Sequence, residues 1–230
     1  DEYYQLRGKL LWLPTGSQDT RVLLSLSRSF ESPSQDLIIN QTRGALVTPS
    51  SRRGDVSNLL IFQEVRETEV DNIGLEVSHV MESGLKFTSF TGYTRSDTTR
   101  GSINEGVPGA LITSGFFDQR LTTQEFRLNF DSDRVRWVLG VYGAAERNKA
   151  ARQFLNGTTP LNGNNLRGEE NNYALFGELA YEFAPQWTVI AGGRVDYFES
   201  MTTGTTNNGL VFSPVFRNFS DTEFLPKLGV

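Results

Sequence analysis

The chain has no cysteine and one histidine, His79, among its 230 residues. The lack of cysteine argues against a disulfide scaffold, and one imidazole without a thiol argues against a zinc site. No motif supports Ser-His-Asp chemistry around His79, which we interpret as a polar surface or lumen residue. We therefore predict no catalytic site, no metal site and no cofactor.

Long hydrophobic runs and clusters of positive charge are also missing. No segment approaches the 18 consecutive apolar residues of a transmembrane helix, although a strand with alternating apolar residues would escape this test. The 22 basic residues are outnumbered by 27 acidic ones, and no basic cluster is longer than Arg52-Arg53. We therefore predict no nucleic-acid partner. The first residues also lack the charged and apolar regions of a signal peptide.

The clearest pattern that is present lies between residues 121 and 143. Side chains alternate across a strand with a period of two, so that Phe126 and Leu128 share one face while Glu125 and Arg127 share the other. Residues 135–141 repeat this alternation after only four turn residues, 131–134. The segment is therefore predicted to be an antiparallel hairpin with one apolar and one polar face.

Similar hairpins recur along the chain, and we predict nine strands in all. Short turns follow the strands at residues 13–19, 82–84, 131–134 and 184–186. Long polar stretches, predicted to be loops, occupy residues 31 to about 70, 95–120, 144–171 and 199 to about 221. The third contains NGTTPLNGNN, which has too much Asn and Gly to pair readily as a strand.

The alternation of short and long connections favours a membrane barrel. A soluble sandwich has no reason to place its long loops at one end four times running. Aromatic residues gather near the predicted strand ends, where interfacial girdles sit: Trp12, Phe30, Tyr93, Phe130, Trp137, Tyr181, Phe183, Trp187 and Tyr197. We predict an all-β fold, an antiparallel transmembrane β-barrel segment of about nine strands with short periplasmic turns and long extracellular loops. A soluble all-β binding or carbohydrate-active module remains the alternative.

Five sequence segments, some of them paired, resemble those of a known family: QLRGKLLWLPT, LKFTSFTGY, QEFRLNF with RWVLGVY, YALFGELAYEF with WTVIAGGRVDY, and FLPKLGV. In this order they resemble segments of the barrel of TonB-dependent outer-membrane receptors. The resemblance implies a 22-stranded barrel, an N-terminal plug and a segment that engages an energy-transducing partner in the periplasm. Such receptors import iron-siderophore complexes, haem, cobalamin or oligosaccharides.

For this chain, the resemblance implies an internal fragment of a barrel in the bacterial cell outer membrane. We expect residues 1–230 to form a partial barrel domain without its plug and terminal strands, roughly 40% of the family's strand count. The expected partners are outer-membrane lipid, a small-molecule ligand such as a ferric siderophore, and the TonB energy-transducing complex through the missing N-terminal part. A plugless passive porin is the second alternative.

The polar strand faces provide the candidate site. If the apolar faces meet lipid, six charged residues point into the lumen: Glu125, Arg127, Arg136, Glu178, Arg194 and Asp196. In members of the family that this chain resembles, such residues hold the plug or line the ligand path. The acidic group Glu64, Glu67, Glu69 and Asp71 is interpreted as a solvated loop face rather than a cation site.

Overall fold

The fold is one antiparallel sheet. In the computed structural model the described residues are 2–14, 19–32, 65–104, 111–156, 159–208 and 211–229, and every regular element among them is a strand. The strands are β1 (Glu2–Trp12), β2 (Thr20–Ser32), β3 (Val65–Val80), β4 (Lys86–Asn104), β5 (Leu111–Asp131), β6 (Val135–Asn156), β7 (Thr159–Ala184), β8 (Trp187–Asn208) and β9 (Val211–Gly229).

The nine strands form a meander in which each pairs with the next, in the order β1 to β9. The central hairpin, β5 and β6, pairs from Leu111 with Asn156 down to Asp131 with Arg136. The predictions of nine strands and of this antiparallel hairpin are confirmed.

The register keeps apolar residues together across strands. Phe126 lies opposite Val141, Val141 opposite Leu175, and the row continues through Val195 to Phe224. Because side chains alternate along a strand, a shift of one residue in any strand would replace its apolar-face residue in this row with a residue of the opposite face. The register therefore separates the sheet into one apolar and one polar face.

The apolar face is not packed against a second layer. Among the described residues, Ala174 is the one buried apolar side chain, whereas Leu139 is 48% exposed and Leu175 is 55% exposed. A soluble sandwich would bury such side chains between two sheets, because burial of apolar surface is what stabilises it. The sheet therefore lacks the interior that the soluble alternative requires.

The prediction that the last three long segments, 95–120, 144–171 and 199–221, are loops is wrong for most of their length. β4 continues to Asn104 and β5 begins at Leu111, and the two pairs of strands that follow extend in the same way. Even Asn164 and Asn165, in the Asn/Gly-rich segment, pair with both β6 and β8. Residues 33–64 of the first predicted loop lie outside the described residues.

Polar residues on both faces explain why the alternation fades before the strands end. Where neither face is apolar, backbone pairing continues without a period-two pattern in the side chains, since strand propensity depends strongly on neighbouring strands. The sequence pattern therefore marks only the part of each strand that has one apolar side.

Short turns close the opposite end of the sheet. At the β3–β4 turn, Gly84 has a φ of +80° and its N–H donates to the carbonyl of Met81 at 2.9 Å. Glycine suits this left-handed conformation because it has no Cβ. At the β5–β6 turn, the N–H of Ser132 donates to the carbonyl of Val135 at 2.9 Å. The prediction of short turns at these two positions is confirmed.

Candidate functional site

The six predicted lumen residues lie on the polar face, in four successive cross-strand rows. Arg136 is in the row nearest the short turns, opposite Ala180. Glu178 follows, opposite Val138, and then Arg127 and Arg194 share one row with Gly140 and Phe176 between them. Glu125 and Asp196 share the fourth row with Tyr142 and Ala174 between them.

The polar face is concave. Along β7 and β8 the apolar side chains are mostly exposed, while their polar-face neighbours are half-buried or buried. Ala174 on the polar face is 7% exposed, whereas the adjacent Leu175 on the apolar face is 55% exposed. In a single layer, such a difference requires curvature that crowds one set of side chains and spreads the other. The candidate residues therefore line the inner side of a curved wall.

Arg194 is held at the centre of this wall. Its Nε and Nη2 atoms donate to the two carboxylate oxygens of Asp196 at 2.6 and 2.8 Å, and its guanidinium lies 5.6 Å from the ring centres of Tyr142 and Phe176. A bidentate pair combined with two aromatic faces fixes a planar guanidinium in a way that a lysine could not reproduce.

Arg127 forms a similar arrangement on β5. It makes an ion pair with Glu125, and its guanidinium lies 5.4 Å from the ring centre of Phe90 and 5.9 Å from that of Phe176. The Phe176 ring therefore contacts guanidinium groups on both sides. We call Arg127, Phe176, Arg194 and Tyr142 the arginine–aromatic array.

Gly140 makes room for the array. A Cβ built at this position would lie closer than 3.0 Å to three atoms of the Phe176 ring. The ring therefore covers the glycine backbone between the two arginines. Gly140, Tyr142 and Phe176 were not predicted as residues of the site. Tyr142 and Phe176 are aromatic residues at polar-face positions, and this break in the alternation is the signal that could have identified them.

Glu178 is paired across an intervening strand. The Nζ of Lys227 on β9 donates to Oε2 of Glu178 on β7 at 2.6 Å, and Gly192 on β8 lies between them in the row. The absence of a side chain at Gly192 leaves the space through which the lysine reaches. Lys227 was not predicted, because no sequence pattern near Glu178 indicates a residue 49 positions away.

Arg136 stands apart from the array. It lies opposite Asp131, beside the β5–β6 turn, and the described part of the chain offers it no ion pair. Five of the six candidates are thus brought into one region, with Arg136 at its short-turn edge.

The acidic residues of β3 are not a loop face, contrary to the prediction. Glu69 and Asp71 lie within β3 and pair with Arg28 of β2, while Glu64 is outside the described residues. Within the described ranges, no group of three or more potential ligands could hold a metal ion. His79 lies one residue before the end of β3, and its Nδ1 is 2.8 Å from the hydroxyl of Thr20.

The exposed apolar face has the dimensions of a membrane barrier. On β7 it is bounded by the aromatic residues Tyr173 and Phe183, and ten residues of a strand tilted by about 40° rise about 25 Å, the height of the apolar band of an outer-membrane barrel. No helix in the described part of the chain is long and apolar enough to cross a membrane. Together, an apolar convex face and a charged concave face define a wall segment of a transmembrane β-barrel.

Comparison with known proteins identifies the family. The family model for TonB dependent receptor-like β-barrels matches residues 12–230. This chain belongs to the TonB-dependent receptor family, whose members are bacterial outer-membrane proteins. No curated protein sequence matches the chain significantly.

Solved structures share the fold at low sequence identity. The ferric yersiniabactin uptake receptor FyuA from Yersinia pestis superposes with a TM-score of 0.79 at 17% identity, over 98% of this chain and 34% of that one. The ferric citrate transporter FecA gives 0.67 at 14% identity, over 98% and 33%. The siderophore receptor PiuA from Acinetobacter baumannii gives 0.63 at 15% identity, over 98% and 40%.

The chain therefore spans between a third and two fifths of the length of these structures. The predictions of the family, the barrel fold and the outer-membrane location are confirmed. The soluble all-β alternative is wrong, because the same faces that would form its core are the exposed faces of a barrel wall.

Proposed function

We propose that this chain forms part of the barrel of a receptor that imports an iron chelate, such as a ferric siderophore, through the outer membrane. The observation that carries the proposal is the arginine–aromatic array on the concave face. Three solved relatives support the class of ligand, since their names describe uptake of ferric yersiniabactin, ferric citrate and a siderophore.

The six candidate residues are proposed to contact the plug or to line the ligand path. Arg127 and Arg194 keep 43% and 35% of their side chains exposed, so that each can still donate hydrogen bonds to a group in the lumen. Their partner acids, Glu125 and Asp196, are less exposed at 14% and 17%. The acids therefore hold the guanidiniums in place while the guanidiniums face the lumen.

Energy coupling is proposed to come through TonB, acting on a part of the receptor outside this barrel segment. A passive porin could carry the same charged wall, and it would differ in having no plug. The two functions predict different dependence on energy, because a plugged receptor must be opened by its periplasmic partner while a porin conducts without one.

The test is uptake of radioactive iron by cells in which the receptor that contains this chain is the only iron receptor. Ferric citrate, a ferric catecholate and a ferric hydroxamate are supplied separately, with and without a protonophore. We expect saturable uptake of at least one chelate that the protonophore abolishes. Uptake that rises linearly with chelate concentration and is unchanged by the protonophore would support the porin. No uptake of any of the three chelates would reject the iron-chelate proposal.

A pair of variants tests the array. R127Q/R194Q should lower chelate uptake on the order of tenfold or more, because hydrogen bonds to charged groups contribute about 1.5–3 kcal/mol each. R134Q, in the exposed β5–β6 turn, removes a positive charge outside the array and should leave uptake unchanged. Equal amounts of folded receptor are checked by the heat-dependent mobility of the barrel in gels. Unchanged uptake by folded R127Q/R194Q would remove the array from the ligand path.

A further inference from the structure

The extracellular end of the concave face carries a row of three exposed arginines outside the arginine–aromatic array. Arg66 of β3 lies directly opposite Arg100 of β4, and Arg152 of β6 follows in the same row, with Gly115 of β5 between Arg100 and Arg152. Arg100 has the same parity on β4 as Phe90, so that the row faces the lumen. We call Arg66, Arg100 and Arg152 the outer arginine row.

The described part of the chain does not neutralise this charge. None of the three arginines forms an ion pair with a residue in the described ranges. Among those residues, the acid of the same face nearest to Arg66 in the register is Glu31, which lies one row below, opposite Thr68. Its single charge cannot balance three. Because like charges directly opposite each other destabilise a sheet, the row calls for an anion from outside the wall.

An apolar row lies directly beneath the outer arginine row. Phe117, Ala150 and Leu166 are neighbours across β5, β6 and β7, one row closer to the membrane on the same concave face. The side chain of Phe117 is 38% exposed. In the row above, the guanidinium of Arg152 lies 4.3 Å from the ring centre of Phe154. The mouth of the wall therefore combines positive charge with aromatic and apolar surface.

This surface is separate from the arginine–aromatic array. Arg152 lies twelve residues further along β6 than Gly140, which the array covers. This spacing is about 40 Å along the strand, or about 30 Å along the membrane normal at a tilt of about 40°. One chelate of ordinary size cannot contact both surfaces, so that the outer arginine row is a second site.

The two rows together discriminate between classes of iron chelate. A citrate complex is anionic and suits the arginines, but it has no ring to cover Phe117 and Leu166. A tris-hydroxamate complex is uncharged and would leave the arginines without an anion. A catecholate complex is anionic and presents flat aromatic rings, so that guanidiniums can bind its oxygens while its rings pack on Phe117.

We propose that the outer arginine row and the apolar row beneath it bind an anionic aromatic chelate, a ferric catecholate, at the mouth of the barrel. The arginines balance the charge of the complex, and Phe117 and Leu166 cover its rings. This inference rests on the proposed function, because it names the chemical class of the iron chelate that the receptor imports.

The test is direct binding to the whole receptor that contains this chain, purified in a non-ionic detergent. Four complexes of radioactive Fe³⁺ separate charge from aromaticity. A tris-catecholate is anionic and aromatic, citrate is anionic without rings, a tris-hydroxypyridinonate is aromatic without charge, and a tris-hydroxamate is neither. Retention of each complex by immobilised receptor gives its Kd. We expect the tris-catecholate to bind about tenfold or more tightly than each of the other three.

Two variants separate the contributions of charge and ring. R66Q/R100Q/R152Q should weaken binding of the tris-catecholate and of citrate on the order of tenfold, because it removes charge-assisted hydrogen bonds, and it should leave the two uncharged complexes unchanged. Phe117→Leu keeps an apolar side chain and removes the ring. It should weaken binding of both aromatic complexes about fivefold and leave that of citrate unchanged, a pattern that misfolding cannot produce.

The matched control R147Q/K149Q/R167Q removes three exposed positive charges from the convex face and should leave the binding of every complex unchanged. Equal losses in this control and in R66Q/R100Q/R152Q would show only a dependence on net charge and overturn the inference. Equal losses of citrate and tris-catecholate binding in Phe117→Leu would exclude the ring contact. Tightest binding of a complex other than the tris-catecholate would overturn the inference but not the proposed function, whereas binding of none of the four would reject both.

Discussion

Gly192, in the middle of β8, is a position at which a single methyl group should have a clear effect on the barrel wall. A Cβ at this residue would lie 2.7 Å from the carbonyl oxygen of Gly177 and 3.1 Å from the Cα of Glu178. Both atoms belong to the backbone of β7, so that no side chain can rotate away. Gly192→Ala must therefore push β7 and β8 apart at this point.

The expected cost follows from three contributions. Overpacking costs about 1–3 kcal/mol, and the lower chain entropy of alanine returns about 0.5–1 kcal/mol. The separation also stretches the pair between Lys227 and Glu178, whose side chains are 60% and 34% exposed, a contribution of about 1 kcal/mol or less after solvent screening. We expect Gly192→Ala to lower the free energy of unfolding by about 1–2 kcal/mol.

Gly193→Ala is the matched control, because it adds the same methyl group to the next residue on the opposite face. There the new Cβ meets the ring of Phe224 at 2.9 Å, and this ring is 63% exposed and free to rotate. The entropy gain should roughly offset the movement of the ring, leaving stability within about 0.5 kcal/mol of wild type. Urea unfolding of the receptor in lipid vesicles, followed by tryptophan fluorescence, measures both variants.

The reasoning would be refuted if Gly192→Ala were as stable as the wild type, or if Gly193→Ala lost more stability than Gly192→Ala. The first result would mean that the two strands can separate at Gly192 without loss of stability. The second would mean that the Phe224 ring cannot rotate away and that contact with the β7 backbone is not the costlier of the two.

Two further predictions concern the orientation of the sheet and its titration. Leu139→Arg places a charge on the lipid-facing side and should lower the free energy of unfolding by about 2–4 kcal/mol if it lies near the midplane. Val138→Arg, on the polar face opposite Glu178, should fold normally. Equal folding yields of the two variants in lipid bilayers would contradict the orientation of the sheet. Beyond the extracellular aromatic boundary, burial and a hydrogen bond to Asp118 raise the pKa of Asp97. A carboxyl with a raised folded-state pKa stabilises the fold when protonated, and this stability is lost as pH rises from its ordinary pKa through the raised value. Asp97→Asn keeps the uncharged form, so that its melting temperature relative to wild type should increase from about pH 3 to about pH 7, and a difference independent of pH would contradict this assignment.

The sequence was sufficient to identify the faces of the strands. The alternation around Phe126 and Glu125 assigned each residue to its side, and the structure brings Arg127, Arg194 and Asp196 together on the polar face as the parity required. This succeeds because the period of two is a property of the extended backbone and needs no information from other strands.

The sequence was not sufficient to locate the ends of the strands. Residues 95–104 and 159–165 pair as strands, although their side chains show no alternation and many of them disfavour strands. Their pairing depends on an adjacent strand that continues to the same height. A local pattern contains no information about that neighbour.

The sequence by itself determined the number of strands and, wherever the alternation is present, the face on which each side chain lies, because both follow from local backbone geometry. Only the tertiary structure decided which residues stand side by side, such as Phe176 between two arginines, Lys227 reaching Glu178 over Gly192, and Arg95, Arg120 and Arg147 in one row. The physical reason is that register is set by hydrogen bonds between different strands, and one residue of slip would bring different side chains together without changing the pattern within either strand.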